Sequence, residues 1–213
     1  MNTRYEPNSG GKVVSQLWIG GILELSERKG IQFFMQNLQT AVVGGGCFWC
    51  IETVFNRLQG VTSAKSGYMG GHLENPSYKQ VCGGDTGHVE VVQVTFDAAK
   101  TSFRELLDVF FTVHDPTTLN RQGNDIGAQY RSVIFYTSEE QYREAKKYIE
   151  ELTAAHTWPN PIVTSLEPSS KFYVAEDYHQ EYFANNGSQP YCQFVVAPKV
   201  QKFQKKFAEK LKA

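Results

Sequence analysis

Thr40-Ala41-Val42-Val43-Gly44-Gly45-Gly46-Cys47-Phe48-Trp49-Cys50-Ile51-Glu52 is the stretch that decides how the chain is read. Its apolar, β-branched start reads as a buried strand. Beyond the glycines, Ile51, Val54, Phe55 and Leu58 recur at helical spacing, so Cys47 stands where a strand turns into a helix. Three glycines allow a tight turn and the close approach of another chain or a ligand. A cysteine at a helix start feels unpaired backbone N–H groups and the positive end of the helix dipole. Both favour thiolate over thiol, so the expectation is a lowered pKa at Cys47 and a second thiol, Cys50, within reach. Two plainer readings stand beside this one. A cysteine in such a place is often a small buried hydrophobe, and C-x-x-C is also half of a zinc site. Phe48-Trp49 tilts the reading away from metal, because a metal knuckle favours small turn-forming residues, whereas two large aromatics wall off a sulfur.

The chain has 213 residues, enough for one ordinary domain with a real core. Its net charge of −1 suggests neither nucleic acid nor an anionic membrane as partner. Four cysteines are too few for a disulfide-built secreted scaffold, and their placement suggests chemistry in a reducing compartment, hence the cytoplasm. No apolar run approaches the length of a membrane span. Residues 1–38 read as a poorly ordered N-terminal extension to a single domain over 39–213. The apolar patch around Trp18, Ile19, Ile22, Leu23 and Leu25 is broken by glycines and lacks the layout of a secretory signal. Glu6, Glu24 and Glu27 argue against a transit peptide. Residues 1–34 are expected to be dispensable for folding, with Met35 as an alternative start.

Downstream the pattern is regular. Strands are expected to about residue 44 and over 61–68, 89–96 and 129–137. Helices are expected over about 47–58, after Ser102 to near His114, over 138–155, over 176–183 and from Pro198 onwards. Polar, Gly- and Asp-rich loops cover 72–87 and 115–128, and loops of that length tend to be functional. Further extended structure is expected at 162–164 and 172–173. There is no internal repeat. Alternating strands and helices imply a layered α/β or α+β domain.

The motifs come in a telling order: Gly46-Cys47-Phe48-Trp49, Asn75-Pro76-Ser77-Tyr78, Gly84-Asp85-Thr86-Gly87-His88-Val89-Glu90, His114-Asp115-Pro116, Arg121-Gln122-Gly123-Asn124-Asp125, Gln129-Tyr130-Arg131-Ser132 and Ala175-Glu176-Asp177-Tyr178-His179-Gln180. Over about residues 39–205 the chain resembles the A-type peptide methionine sulfoxide reductases. That resemblance implies an α+β fold, a two-layer α/β sandwich built as a ferredoxin-like plait with a mixed sheet flanked by helices. It also implies an S-epimer preference, thioredoxin (or dithiothreitol in vitro) as reductant, and no bound cofactor or metal. Methionine sulfoxide, free or in proteins, would be the substrate of a monomeric enzyme that repairs oxidative damage.

The residue chemistry agrees with the resemblance. Sulfoxide reduction needs a sulfur nucleophile and a proton for the departing oxygen. Cys47 is the candidate nucleophile, to become a sulfenic acid. Glu90, a carboxyl among apolar strand residues, is costly to ionise and is the candidate general acid. Its plain alternative is a strand residue facing solvent. Tyr78 and Tyr130 resemble the family's two phenols that bond the sulfoxide oxygen. Phe48 and Trp49 resemble the wall that receives the methyl group, and Asp125 resembles a loop carboxylate that organises the site. His88 and His114 read as structural hydrogen-bonders. To close the cycle a second thiol must attack the sulfenic acid. Cys50, one turn away, is preferred. Cys192 is the alternative and would need a mobile tail; Cys82 is a weaker candidate. Rival readings are a thioredoxin-like dithiol protein, and a zinc module built from Cys47, Cys50, Cys82 and His88 or Cys192.

Overall fold

The computed structural model describes residues 37–212. The extension read at 1–38 therefore lies outside the described residues but for its last two, and Leu38 already belongs to the first strand. In chain order come β1 (Leu38–Gly44), α1 (Phe48–Phe55), β2 (Val61–Met69), α2 (Tyr78–Cys82), β3 (Val89–Asp97) and α3 (Phe103–Val113). There follow β4 (Arg121–Gln122), β5 (Asp125–Ile126), β6 (Val133–Tyr136), α4 (Glu139–Ala154), β7 (Ser165–Pro168), β8 (Tyr173–Val174), α5 (Tyr182–Asn185) and α6 (Ala197–Lys206).

Six strands form one mixed sheet in the order β7-β6-β1-β3-β2-β8. β6 and β7 run parallel and every other neighbouring pair runs antiparallel. Successive side chains on a strand point to opposite faces. On β3, Val92, Val94 and Phe96 join the core that also holds the apolar faces of α1, α3, α4 and α6. Val89 and Val91 join a smaller cluster on the other face, with Val42, Met69, Val133 and Phe135. The same alternation places Glu90 on the helix-covered face. That geometry sets its chemistry, because a carboxyl there is sealed under α1.

Helix α3 shows why these segments fold as they do. Ser102 accepts the N–H of Glu105, and the Glu105 carboxylate takes the Ser102 N–H at 3.0 Å, a reciprocal cap. Phe103, Leu106, Leu107, Phe110 and Phe111 form its buried stripe. Each such side chain contributes roughly 2–3 kcal/mol by leaving water.

Several expectations need correction. The 72–87 loop contains α2, announced by Ser77 and Gln80, whose side chain accepts the Ser77 N–H at 2.9 Å. The strand expected from Gln129 starts at Val133, because Ala128–Tyr130 wind into a 3-10 turn. The 115–128 loop holds the β4–β5 hairpin. The 176–183 helix is a 3-10 turn at Asp177–His179 followed by α5. The last helical segment begins before Pro198, as a π-helical stretch at Cys192–Val196 that runs into α6. Among the described residues no helix is long and apolar enough to cross a membrane.

Candidate active site

Cys47 occupies the N-cap of α1, directly after the turn. Gly46 makes that turn possible: its φ is +90°, and a Cβ there would meet the Gln122 side chain at 2.6 Å. Gln122 cannot step aside freely, because its amide is bound both ways to the Asp115 backbone, each bond 3.0 Å. The Gly46 N–H also donates to the Tyr130 carbonyl at 3.1 Å, tying the turn to the segment that carries Tyr130.

A cavity of about 350 Å³ opens against this turn. It brings together Cys47, Phe48, Trp49, Tyr78, Glu90, Asp125 and Tyr130, which lie on five different segments of the chain. The sulfur is not sealed off: Cys47 keeps 6% of its surface exposed and lines the cavity.

Glu90 is 1% exposed, and burial pushes its carboxyl up to about 8, while the charges of Asp125 and Cys50 push the same way. The Phe48 N–H, donated to Glu90 Oε2 at 3.1 Å, opposes that shift without cancelling it. Glu90 therefore holds its proton near neutral pH. Burial also imposes a correction at Cys47. Its thiol was expected to be lowered by the helix start; instead burial holds it well above its ordinary value, with the Cys50 hydrogen bond and the charges of Cys50 and Glu90 adding to the rise. Although Cys47 stands at the N-cap, its sulfur accepts no capping hydrogen bond, and the first N–H of the helix is given to Glu90. Within the pair the negative charge is favoured at Cys50. The hydrogen bond from Cys47 lowers it, against its own burial, and the Lys199 ammonium lowers it further. Lys199 Nζ lies 3.7 Å from Cys50 Sγ.

The phenols of Tyr78 and Tyr130 are both held above their ordinary values, chiefly by burial, and so remain O–H donors. Tyr78 is anchored by its N–H, which donates to Glu176 Oε1 at 2.8 Å; Glu176 Oε2 accepts the Tyr68 hydroxyl at 2.9 Å. Trp49 is fixed on two sides. Its indole N–H donates to His179 Nδ1 at 3.0 Å, and its ring stacks on Tyr182 at 3.7 Å. Burial lowers the His179 pKa, so the ring is neutral and its Nδ1 free to accept. The start of α5, which carries Tyr182, is held in turn by Glu52 of α1, whose carboxyl group accepts the Glu181 N–H at 2.9 Å.

Asp125, on the hairpin, accepts the Tyr191 hydroxyl at 2.7 Å, and Tyr191 also lines the cavity. Tyr182, Tyr191, His179 and Glu176 escaped sequence reasoning as site residues. Glu176 and His179 sit in a quoted motif, but the two tyrosines carry no local signal and meet Trp49 and Asp125 only through the fold.

All four cysteines are free thiols. Cys50 is 1% exposed beside Cys47. Cys192 is buried at the start of the π-helical stretch rather than carried on a free tail, and Cys82 is exposed. His88 accepts the Gly71 N–H at Nδ1 and donates from Nε2 to the Leu73 carbonyl. His114 donates to the Phe110 carbonyl and accepts from Ser132, with burial lowering it to about 4. Both are fully engaged in structure. Among the described residues no cluster of three His, Cys, Asp or Glu is disposed to hold a metal ion.

Such a cavity suits one kind of chemistry. A sulfur can attack while a carboxyl and two phenols receive an oxygen, and a second sulfur stands beside the first. Fold and site together define a thiol-dependent oxidoreductase.

Comparison with known proteins makes this specific. The family model described as peptide methionine sulfoxide reductase matches residues 39–211. The peptide methionine sulfoxide reductase MsrA of Ralstonia nicotianae is 57% identical over 182 residues, 84% of this chain and 95% of that protein. Its counterpart in Deinococcus radiodurans is 52% identical over 174 residues, 82% of this chain and 84% of that protein. Among solved structures, reduced Mxr1 from Saccharomyces cerevisiae aligns with a TM-score of 0.68 at 39% identity, covering 74% of this chain and 90% of that one. Methionine sulfoxide reductase A of Corynebacterium diphtheriae aligns with a TM-score of 0.62 at 35% identity, covering 71% and 76%. The chain belongs to the peptide methionine sulfoxide reductase family.

Proposed function

We propose that the chain reduces the S-sulfoxide of methionine, free or in proteins, through a sulfenic acid on Cys47 that Cys50 converts to a disulfide. The observation that carries this reading is the protonated, buried Glu90 sharing one cavity with Cys47, Tyr78 and Tyr130. The Cys47 sulfur attacks the sulfoxide sulfur, and Glu90 gives its proton to the oxygen, which Tyr78 and Tyr130 hold by hydrogen bonds. The sulfoxide S–O bond then breaks and the oxygen, now as hydroxide, bonds to the Cys47 sulfur. The transient S–S bond breaks to release methionine, Cys47 is left as S–OH, and the proton that its thiol gave up restores Glu90. Burial keeps Cys47 a thiol at rest, so it loses its proton as part of the reaction rather than before it. Phe48 and Trp49 receive the methyl group, and Asp125 organises the site through Tyr191.

Cys50 then attacks the sulfenic sulfur, displacing the oxygen as water and leaving a disulfide that an external dithiol opens. The direct contact of Cys50 with Cys47, and the place of Cys192 within a π-helical stretch rather than on a free tail, favour Cys50 over Cys192 in that step. The family resemblance supports thioredoxin as the physiological dithiol. It also supports action without a bound cofactor, as a cytoplasmic monomer over residues 39–213 with 1–38 as an extension. A ferredoxin-like plait is the proposed core of the fold. Its support is that β1-α1-β2-β3-α3-β6 follow one another in sequence while their strands lie in the order β6-β1-β3-β2.

The test is a peptide bearing methionine S- or R-sulfoxide, incubated with the protein and dithiothreitol and followed by chromatography. The S epimer is expected to be reduced and the R epimer spared, with Cys47→Ser inactive. Cys50→Ser is expected to complete one turnover yet not be recycled by thioredoxin. Activity in Cys47→Ser, or no reduction of either epimer, would defeat the reading. Full thioredoxin-coupled turnover in Cys50→Ser would move the resolving role to Cys192.

A further inference from the structure

Helix α6 and the turn after it are rich in lysine, and most of these lysines behave as expected of a surface. Lys202 and Lys205 face solvent, Lys206 donates to Thr112 Oγ1 at 2.9 Å, and Lys210 pairs with Glu105. Lys199 differs. It is half-buried in the first turn, and among the described residues it makes no ion pair with a carboxylate. Its ammonium is directed at Cys50 Sγ instead, 3.7 Å away. An ammonium is strongly hydrated, and drawing it towards a buried sulfur is unfavourable unless that sulfur carries negative charge. The segment that delivers it is unusual in the same place. The five residues before α6 form the wide π-helical turn, a feature that recurs at functional sites.

We propose that Lys199 is a positioning residue that holds the Cys50 sulfur in its charged, attacking form for the second half of the catalytic cycle. The proposal rests on the reading above, in which Cys50 closes the disulfide. The groups around Cys50 are Cys47 in the turn, Glu90 on β3, Asp125 on β5, Tyr191 and Cys192 before α6, and Lys199 itself. Lys199 is the cation of this set, since nearby His114 is neutral. It also lines a second cavity of about 510 Å³ with Asp125, Tyr191 and Phe194, so its stem reaches water while its ammonium meets the sulfur. In the step itself the Cys50 thiolate supplies the electron pair of the new S–S bond. The S–O bond of Cys47 sulfenic acid breaks, and its oxygen leaves as hydroxide and takes up a proton to become water. Cys50 is thereby oxidised and the Cys47 sulfur reduced, each to the disulfide level.

The test is a rapid-quench single turnover of the full chain with methionine S-sulfoxide, comparing wild type, Lys199→Met and Lys199→Arg from pH 6 to 10. Methionine release starts the clock, and disulfide formation is read by thiol alkylation and mass spectrometry. In Lys199→Met at pH 7 the disulfide is expected to form about tenfold more slowly after methionine release. Its pH midpoint is expected to move up by about one unit, so the wild-type rate returns at high pH. Lys199→Arg, which keeps the charge, is expected to stay within about threefold of wild type. An unchanged rate and midpoint in Lys199→Met overturns the proposal. So does a slow phase that neither alkaline pH nor arginine restores, since that marks a merely structural role. If wild type forms a Cys47–Cys192 disulfide, the underlying reading of Cys50 fails and the proposal fails with it. A Cys47–Cys50 disulfide formed independently of Lys199 defeats the proposal alone.

Discussion

At the residue scale the site is governed by where protons rest. Glu90 could be singled out because a carboxylate in the run Val89 to Phe96 breaks an otherwise apolar strand, and its burial is what raises its pKa. The expectation for Cys47 ran the other way, and it failed because the fold buries the sulfur, which disfavours its charged form and which no local pattern reveals. Helix-terminus N–H groups stabilise whichever acceptor reaches them, and here Glu90, 42 residues away in sequence, reaches the Phe48 N–H. Tyr191 was equally illegible, being one of 11 tyrosines with its partner Asp125 on a distant hairpin. Its hydroxyl links Asp125 to the sulfur-bearing wall of the cavity, so Tyr191→Phe should slow single-turnover reduction by roughly tenfold, the worth of one good hydrogen bond. Stopped-flow tryptophan fluorescence or quenched peptide assays would measure this, and an unchanged rate would remove Tyr191 from the machinery.

At the element scale the strand–turn–helix around Cys47 was legible, because its apolar residues change period from strand to helix across the glycines. The capped helix α3 was legible for the same kind of reason. The β4–β5 hairpin was not: strands of two residues have no period to read, yet they carry Asp125 into the site. Nor was the 3-10 turn that aims Tyr130, which replaced the start of an expected strand. The turn at Gly46 joins these pieces, through the close fit to Gln122 and the bond to the Tyr130 carbonyl. Gly46→Ala is accordingly expected to destabilise the protein by about 1–3 kcal/mol from backbone strain alone, with activity falling further as Tyr130 and Gln122 are displaced. Gly84→Ala is the control, since its φ is +87° but nothing lies within 4 Å of the added carbon. Urea denaturation of both variants compares them, and equal losses in the two would show that the fit to Gln122 is unimportant.

At the scale of the whole molecule, strand order was beyond the reach of pattern. Periodicity finds the strands but does not say that β1 lies between β6 and β3, and it is this order that puts Glu90 and the start of α1 on the same face of the sheet. The motifs, by contrast, are scattered along the sequence, and the fold brings residues of five of them, from Cys47 to Tyr130, to one cavity of about 350 Å³. That convergence ties the assembled site to a single claim: a neutral carboxyl protonates the departing oxygen while sulfur attacks sulfur. Because burial raises the Glu90 pKa to about 8, the acid is armed below that pH and disarmed above it. The most direct test is the pH profile of the first-turnover rate of methionine formation, wild type against Glu90→Gln. Wild type is expected to lose rate as pH rises through about 8, and Glu90→Gln to be slower by about 10²–10⁴ at neutral pH without that decline. A Glu90→Gln enzyme as fast as wild type, or one that keeps the same alkaline decline, would contradict the account.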